Sequence, residues 1–569
     1  MNTCFKNYPN PVYSEILFDE NDLYDNKPKI KTKTYKKVSK HIGVKSVKTN
    51  IETGESKAIL DFAHVAGGRI VEQEVPLDKA LSASKLESLS LYGMDVNTLN
   101  KNQVLKQIRN GISHIQESFV HSDMGFSYYD NRLIFKHHQL LGSGIQTNSI
   151  YDGEYDIEPK GSLKNWLAMF DKEVKGHIPL ELAVIFGLAA PLVGLIGDLV
   201  NVNSQFIHLV GNSSIGKTTA LQLAVSTFGS PQISPKSLIL TYNSTQNSLI
   251  KKLSGNRGVP MAIDEASMVP NRDWTDYLYI VTSGEDKERL TKELKLVERS
   301  SFRTVVLSSG EYSIVSKAAN NIGIHGRVLE FSGIKWTKDS ANSNSIKAIC
   351  NTNYGHIGPK FVLQLMNISQ EALIKAYRKW NQRIQGLLKP TQIRDRLAQT
   401  LSVYMLVTCI AKSSLGLDFD EKGILNFLVK NANDKATEFD IAIKAYEYIR
   451  EVVAKNPHHF TVTEYGSDKK QFVRVTECWG YVEKRCSETS SDRKITKIGI
   501  AIQQLKELLE KDNKFQSKDV VIKAWGDKKW LITEKDRNSK RVVITENSKG
   551  TPCYVLDIPK IEAELYGEG

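Results

Sequence analysis

The stretch Phe206-Ile-His-Leu-Val-Gly-Asn-Ser-Ser-Ile-Gly-Lys-Thr-Thr219 carries the spacing G-x-x-x-x-G-K-T after a run of mostly apolar residues. That spacing, between a strand and a helix, builds a phosphate-binding loop. Gly211 and Gly216 let the backbone turn tightly enough for its N–H groups to surround phosphate oxygens. Asn212, Ser213, Ser214, Ile215 and Thr219 complete the loop and its exit. A helix from Lys217 to about Phe228 adds its positive N-terminal end. Lys217 is placed to reach β- and γ-phosphates, and the Thr218 hydroxyl to ligate Mg²⁺. Downstream, Val259-Pro-Met-Ala-Ile-Asp-Glu265 is a short apolar strand ending in two carboxylates. Asp-Glu after a strand is often only a helix N-cap. Beside a complete phosphate loop, Asp264 instead suits Mg²⁺ held through water, and Glu265 suits activation of an attacking water. The chemistry expected is hydrolysis of ATP with Mg²⁺.

Two further places could serve that chemistry. Arg303-Thr-Val-Val-Leu-Ser-Ser-Gly-Glu311 ends a strand in small hydroxyl residues. Ser308 is the first choice for a polar sensor of the γ-phosphate or water, and Ser309 the second. His325-Gly-Arg-Val-Leu-Glu-Phe331 sets Arg327 just before a strand, where ring ATPases project an arginine into the neighbour's site. The alternative for Arg327 is a structural ion pair. Between these motifs, Glu285–Arg303 is dense in both charges. Lys287, Arg289, Lys292, Lys295 and Arg299 stand in it. Lys292 and Lys295 would track a DNA backbone if the segment is a pore hairpin. A solvated helix with pairs such as Glu288–Lys292 is the competing reading.

These residues need a scaffold, and 569 residues is too long for one core. Apolar content of 41% excludes a disordered chain. A net charge of +12 favours a polyanionic partner. The six cysteines include no C-x-x-C pair, which argues against a zinc ribbon and fits a reducing cytoplasm. Glu181–Val200 is apolar and about membrane length, yet it holds Pro191 and Asp198 and is rich in Ala and Gly. We read it as a buried helix, with no membrane partner.

Residues 1–160 read as a β-rich domain, with strands at Ile59–His64 and Gly68–Val75 and helices near Leu81–Leu91 and Lys101–Ile115. Nine lysines and no acid lie between Lys27 and Lys48. Lys29, Lys31 and Lys33 share one strand face, so this is a DNA-contacting surface or a lysine-protected edge. Residues 161–335 read as a helical lead-in and a parallel-sheet ATPase core, with strands at 205–210, 237–242, 259–264, 303–309 and 327–331. Residues 336–455 read as a helical lid, including helices at Glu371–Arg383, Ile393–Ser413 and Asp434–Val453. In residues 456–569, an amphipathic helix within Ser490–Asp512, a helix at Ser517–Trp530, the basic segment Glu534–Arg541 and a strand at Val542–Thr545 give the order of a winged helix. Its cations are Lys518, Lys523, Lys528, Lys529, Lys535, Arg537, Lys540 and Arg541. Lys523, Lys528, Arg537, Lys540 and Arg541 are the leading DNA contacts, although winged helices also bind proteins.

From about Ile70 to Ile558 the chain resembles the MCM-like AAA+ self-loading helicases of mobile elements. That family includes the Rep initiators of staphylococcal pathogenicity islands and the Cch helicases of chromosome cassettes. The resemblance runs through Val75-Pro76, Leu89-Ser-Leu-Tyr-Gly93, Gly161-Ser-Leu-Lys-Asn-Trp166, Ala189-Ala-Pro-Leu192 and the phosphate loop. It continues through Thr241-Tyr-Asn-Ser-Thr-Gln246, Asp264-Glu265, Leu307-Ser-Ser-Gly-Glu311 and Tyr354-Gly355. It implies an α/β, multidomain, ATP-driven hexamer that unwinds DNA with 3′→5′ polarity. It implies the roles above for Lys217, Thr218, Asp264, Glu265, Ser308 and Arg327. It also implies a lid arginine on the nucleotide, for which Arg396 is preferred to Arg394. Two other functions stay compatible with the residues. One is an origin-binding ATPase switch without unwinding, which would rest on the winged helix. The other is an AAA+ protein remodeller, which would need an aromatic pore loop; residues 285–301 hold no aromatic.

Overall fold

A computed structural model describes residues 41–144, 147–286, 301–318, 322–438, 440–465, 470–472, 477–486, 493–511, 515, 517–534, 537–546 and 549–566. The lysines at 29, 31 and 33 and those at 292, 295 and 535 lie outside the described residues. The chain forms two compact units, one ending at Gln116 and the other running on from Glu117 and including Lys48–Ser56.

The first unit contains most of β1 (Ile42–Asn50), with β2 (Ser56–Ala63) antiparallel to β3 (Ile70–Pro76). The alternating burial of β2 places Ala58, Leu60 and Phe62 inward. There they meet Leu86, Leu89, Val104 and Ile108 from the following helical segments. The predicted strands and the helix Lys101–Ser113 are present.

The second unit begins with β4 (Glu117–His121), β5 (Met124–Tyr129), β6 (Arg132–Lys136), β7 (Leu140–Leu141) and β8 (Ser149–Tyr151). The β-rich region predicted to end at 160 therefore divides at 116. Met124, Phe126 and Phe135 pack into the same core as the central parallel sheet. His137 donates from Nε2 to the Phe228 carbonyl at 2.7 Å, bracing the end of the phosphate-loop helix. Burial pushes the His137 pKa down to about 3, so it is the neutral ring that does this.

The central sheet comprises β9 (Gln205–Val210), β10 (Ile239–Thr241), β12 (Met261–Asp264), β13 (Val305–Gly310) and β14 (Val328–Ser332). The intervening β11 (Asn256–Arg257) pairs with β5 instead. The central order is β10-β12-β13-β9-β14, with every pairing parallel. Helices cover both faces, so the strands are buried apolar runs rather than alternating ones. Ile178–Val200 is long and apolar enough to cross a membrane, but 78% of its apolar window is buried inside the protein. It packs against the phosphate-loop helix Lys217–Val225 and the lid helix Arg394–Leu415.

The carboxy-terminal region has its own core. The predicted helix Asp434–Val453 is two helices, Glu421–Glu438 and Ile441–Lys455. Asp440 caps the second, its side chain accepting from the Ala442 amide at 2.8 Å. Ile441, Ala445, Tyr446 and Ile449 then pack with Leu505, Val521 and Trp525. This helix thus lies with the carboxy-terminal core, on the far side of the boundary expected at 455. Helices Ile502–Glu510 and Lys518–Asp527 follow. They accompany a six-stranded sheet of β15 (Phe460–Glu464), β16 (Lys470–Gln471), β17 (Gly480–Cys486), β18 (Arg493–Ala501), β19 (Lys540–Val542) and β20 (Thr551–Asp557), in the order β16-β15-β17-β18-β20-β19.

Candidate active site

The strand register collects the chemistry at the carboxyl edge of the central sheet, where ligands bind in open parallel sheets. Val210 is level with Gly310, and Thr241 with Asp264. Beyond β9 the loop turns through Gly211 (φ +155°), Ser214 (φ +69°) and Gly216 (φ +88°). A side chain at Gly216 would press on Thr337, its Cβ 2.5 Å from Oγ1 and 2.9 Å from the Thr337 amide, so glycine is required there. The loop is anchored from behind by the Trp336 amide, which donates to the Ile215 carbonyl at 2.8 Å.

Ser213, Ser214 and Gly216–Thr219 line a cavity of about 580 Å³ together with Glu265 and Ser309. Gly211, Asn212 and Ile215 form the loop behind it. Lys217 Nζ donates to the carbonyls of Gly211 and Asn212 at 2.6 and 2.8 Å. Partial burial lowers the Lys217 pKa, opposed by the carboxylates of Glu311, Asp264 and Glu265. Thr218 Oγ1 donates to Asp264 Oδ2 at 3.0 Å. A hydroxyl and a carboxylate side by side are hard oxygen donors that fit Mg²⁺.

Ser309 donates to the other carboxylate oxygen of Asp264. The Glu265 amide donates to the same oxygen at 3.1 Å and to Ser309 Oγ at 3.3 Å. Glu265 itself stands at φ +69°, ψ +58°, a conformation that costs a non-glycine residue about 1–2 kcal/mol. This turn leaves its carboxylate exposed on the cavity wall while Asp264 stays buried.

Ser308, the first choice for the polar sensor, is not brought to the cavity. It is fully buried on the other side of β13, accepting from Tyr242 Oη at 2.7 Å and donating to His208 Nδ1 at 2.9 Å. His208 Nε2 carries the proton to the Tyr312 carbonyl at 3.0 Å. Burial holds the His208 pKa down at about 4, which keeps Nδ1 an acceptor. Neighbours on a strand face opposite ways, so only one of the two serines can meet Asp264.

Arg327 and Arg396 do not line this cavity. Arg327 precedes β14, level with Gln205 at the start of β9. The loop begins six residues further on, ~20 Å away along the sheet. The Arg327 guanidinium lies 5.0 Å from the Tyr279 ring centroid. Burial, and then the charge of Arg396, lowers its pKa. Arg396 donates to the Gly323 carbonyl at 3.3 Å. Arg394, the alternative lid arginine, meets Asp395 at 3.5 Å. The two preferred arginines therefore form one basic edge, remote from the phosphate loop of their own chain.

Sequence reasoning assigned no role to several residues at the cavity. Glu311 accepts from Ser213 at 2.8 Å, and its amide donates to Ser267 at 2.9 Å, tying the phosphate loop to the turn after Glu265. Lys335, Thr337, Asp339, Ser343 and Lys347 also line the cavity, Ser343 Oγ lying 2.7 Å from Thr219 Oγ1. Only the adjacency of Glu311 to Ser308-Ser309-Gly310 signalled its place.

In the carboxy-terminal domain, Lys523, Arg537, Lys540 and Arg541 are exposed. Lys528 is not a free cation. It pairs with Asp440 at 3.0 Å and Glu564 at 3.3 Å, and lies 5.1 Å from the Trp530 ring centroid. Its charge joins the helix Lys518–Asp527 to the cap of the helix Ile441–Lys455, so it already has two carboxylate partners within the chain. The segment holding Lys292 and Lys295 is described only at its ends, where Glu285 and Ser301 form an antiparallel bridge.

Comparison with known proteins agrees with this architecture. Residues 19–297 match a domain of unknown function (DUF927), and residues 440–561 match the Cch helix turn helix domain. The solved structure of an SCCmec type IV Cch, described as an active helicase, superposes with a TM-score of 0.71. The match spans 93% of this chain and 95% of that one, at 25% identity. In structure and in its carboxy-terminal domain, this chain matches the Cch helicase family. The apo carboxy-terminal region of NrS-1 aligns at a TM-score of 0.25 and 11% identity, over 68% of this chain and 90% of that one, too little to carry an argument. No curated protein matches.

Proposed function

We propose that the protein is an ATP-dependent DNA helicase and replication initiator of a mobile genetic element, working in the cytoplasm as a hexameric ring that moves 3′→5′ along DNA. The observation that carries this reading is the Thr218–Asp264–Ser309 cluster beside the 580 Å³ cavity, in a chain that matches an active helicase over nearly its whole length.

In this reading Lys217 neutralises the β- and γ-phosphates. Thr218 and Asp264 hold Mg²⁺, which when bound offsets phosphate charge. Ser309 fixes the Asp264 carboxylate. Glu265 orients the attacking water and accepts its proton. Arg327 stabilises charge on the transferring phosphoryl of the neighbouring subunit, and Arg396, sharing its edge, acts there too. The placement of Arg327 ~20 Å along the sheet from its own loop, with Arg396 beside it, supports action across a subunit boundary. Lys523, Arg537, Lys540 and Arg541 contact DNA phosphates, and Lys292 and Lys295 do so inside the ring.

Strand displacement on forked DNA with ATP and Mg²⁺ tests the proposal, with 3′- and 5′-tailed substrates run in parallel. Wild type should unwind the 3′-tailed loading substrate, and Glu265→Gln should not. DNA-stimulated hydrolysis without displacement would replace the helicase with an ATPase switch.

A further inference from the structure

The carboxy-terminal sheet carries a basic tip distant from its wing. β17 and β18 pair with Arg485 opposite Lys494 and Glu483 opposite Lys497. Directly opposed residues share a face of a sheet. Tyr465, just past β15, is fixed beside them by its amide, which donates to the Lys484 carbonyl at 2.8 Å. Arg485 lies 5.2 Å and Lys497 6.0 Å from its ring centroid. Tyr465 is nonetheless 53% exposed, and Arg485 and Lys494 are exposed beside it. Lys497 is paired with Glu483 at 2.9 Å. Arg485 and Lys494 have no carboxylate partner among the described residues.

The position of this cluster separates it from the wing. β20 pairs with β18 only from Lys497 to Ala501. Lys494 therefore projects past the end of β20. The wing strand β19 joins the sheet at the other end, where Lys540 is level with Cys553 and Cys553 with Ala501. The interval from 494 to 501 is ~23 Å of strand. One short stretch of DNA backbone lying on the wing would not reach both ends. Cations alternating with an exposed aromatic ring are the chemistry of nucleic-acid contact, phosphates on the cations and a base on the ring.

We propose that Tyr465, Arg485 and Lys494 form a second DNA-binding site, which holds a segment of DNA beyond the one at the helix Lys518–Asp527 and its wing. The proposal rests on the DNA-binding reading above.

Fluorescence anisotropy of the full-length protein on duplex DNA, over a series of salt concentrations, tests it. Wild type is compared with Arg485→Gln/Lys494→Gln and with Arg537→Gln/Lys540→Gln/Arg541→Gln. Each phosphate contact contributes about 0.9 to the slope of log K against log salt. The hairpin pair should lower the slope by about 1.8 and weaken binding by some tens of fold at about 0.1 M salt. Its DNA-independent hydrolysis and melting temperature should match wild type. Should the double variant melt early, the single exposed substitution Lys494→Glu must still weaken binding. A hairpin variant with wild-type affinity and slope, beside a wing variant that loses both, would overturn the second site. Failure of wild type itself to bind DNA would instead overturn the functional reading beneath it.

Discussion

Replacing Ser309 and Ser308 one at a time separates catalysis from packing within two adjacent residues. Ser309 donates to Asp264, whose carboxylate also accepts from Thr218 and the Glu265 amide. A hydrogen bond to a charged group is worth about 1.5–3 kcal/mol, and each ~1.4 kcal/mol is a factor of ten in rate. Ser309→Ala should therefore lower kcat by about 10- to 100-fold. Its melting temperature should change little, because Thr218 and the Glu265 amide still donate to the carboxylate. Ser308 is the middle of a buried chain from Tyr242 to His208. Ser308→Ala strips partners from groups hidden from water, each costing about 1–3 kcal/mol. That variant should unfold at clearly lower urea, while its kcat, measured where it is fully folded, stays within about threefold of wild type, less than ~0.7 kcal/mol of barrier. Steady-state hydrolysis and urea unfolding on the same preparations decide the matter. A Ser308→Ala variant with wild-type stability and the larger loss of kcat would refute the reasoning and return the sensor role to Ser308.

The remaining predictions concern the subunit edge, the buried histidines and the carboxy-terminal domain. Arg327→Ala should bind a fluorescent ATP analogue as wild type does, yet lose about 10³-fold or more in hydrolysis. Mixing it with Glu265→Gln subunits should restore part of the rate, since each supplies what the other lacks; an unchanged rate in the mixture counts against action across the boundary. His208 and His137 are neutral when folded, their pKa values pushed by burial to about 4 and about 3 from the usual 6.5. A depressed histidine pKa gives stability that is complete above pH 6.5 and lost as pH falls toward 4. Each ring removes up to ~1.4 kcal/mol per pH unit over that window. Urea midpoints at pH 7, 6 and 5 should fall in that order, and a flat series would contradict the neutral assignment. Lys528→Ala should destabilise the carboxy-terminal domain by about 1–2 kcal/mol through loss of its pairs with Asp440 and Glu564, by calorimetry. Its DNA affinity should fall less than that of Lys523→Ala; the reverse order would restore Lys528 as a DNA contact.

The central sheet was legible because strands buried on both faces leave uninterrupted apolar runs. The predicted 205–210 coincides with β9, and the predicted 303–309 lies within two residues of β13 at either end. The carboxy-terminal hairpin was not legible. β17 and β18 mix Lys, Arg and Glu with apolar residues, because their outer ends leave the core. The break at Asp440 was hidden within a continuous helical pattern, since capping depends on one local hydrogen bond. The pairing of Lys528 was hidden for another reason. A lysine at the end of this helix looks the same in sequence whether it faces phosphate or carboxylates 88 residues before it and 36 residues after it, and only the fold brings Asp440 and Glu564 to it.

The active-site residues divide along the same physical line. Those acting within one chain are fixed by local geometry: the glycines by the tight turn, Thr218 by the first turn of the helix, Asp264 by the end of β12. Local motifs can reveal such residues. Which serine of β13 joins them depends on strand register, a non-local property that the motif leaves open. Arg327 and Arg396 lie one level further out. Arg327, half-buried against Tyr279, stands near the exposed Arg396, and burial first and then the charge of Arg396 lower its pKa. Within one chain that arrangement has no partner to offset it among the cavity residues. An incoming triphosphate from a neighbouring subunit would supply the missing negative charge. In the ring proposed above, the contact that completes the neighbour's catalytic site would also relieve the repulsion between Arg327 and Arg396, and would couple assembly to hydrolysis through one pair of arginines.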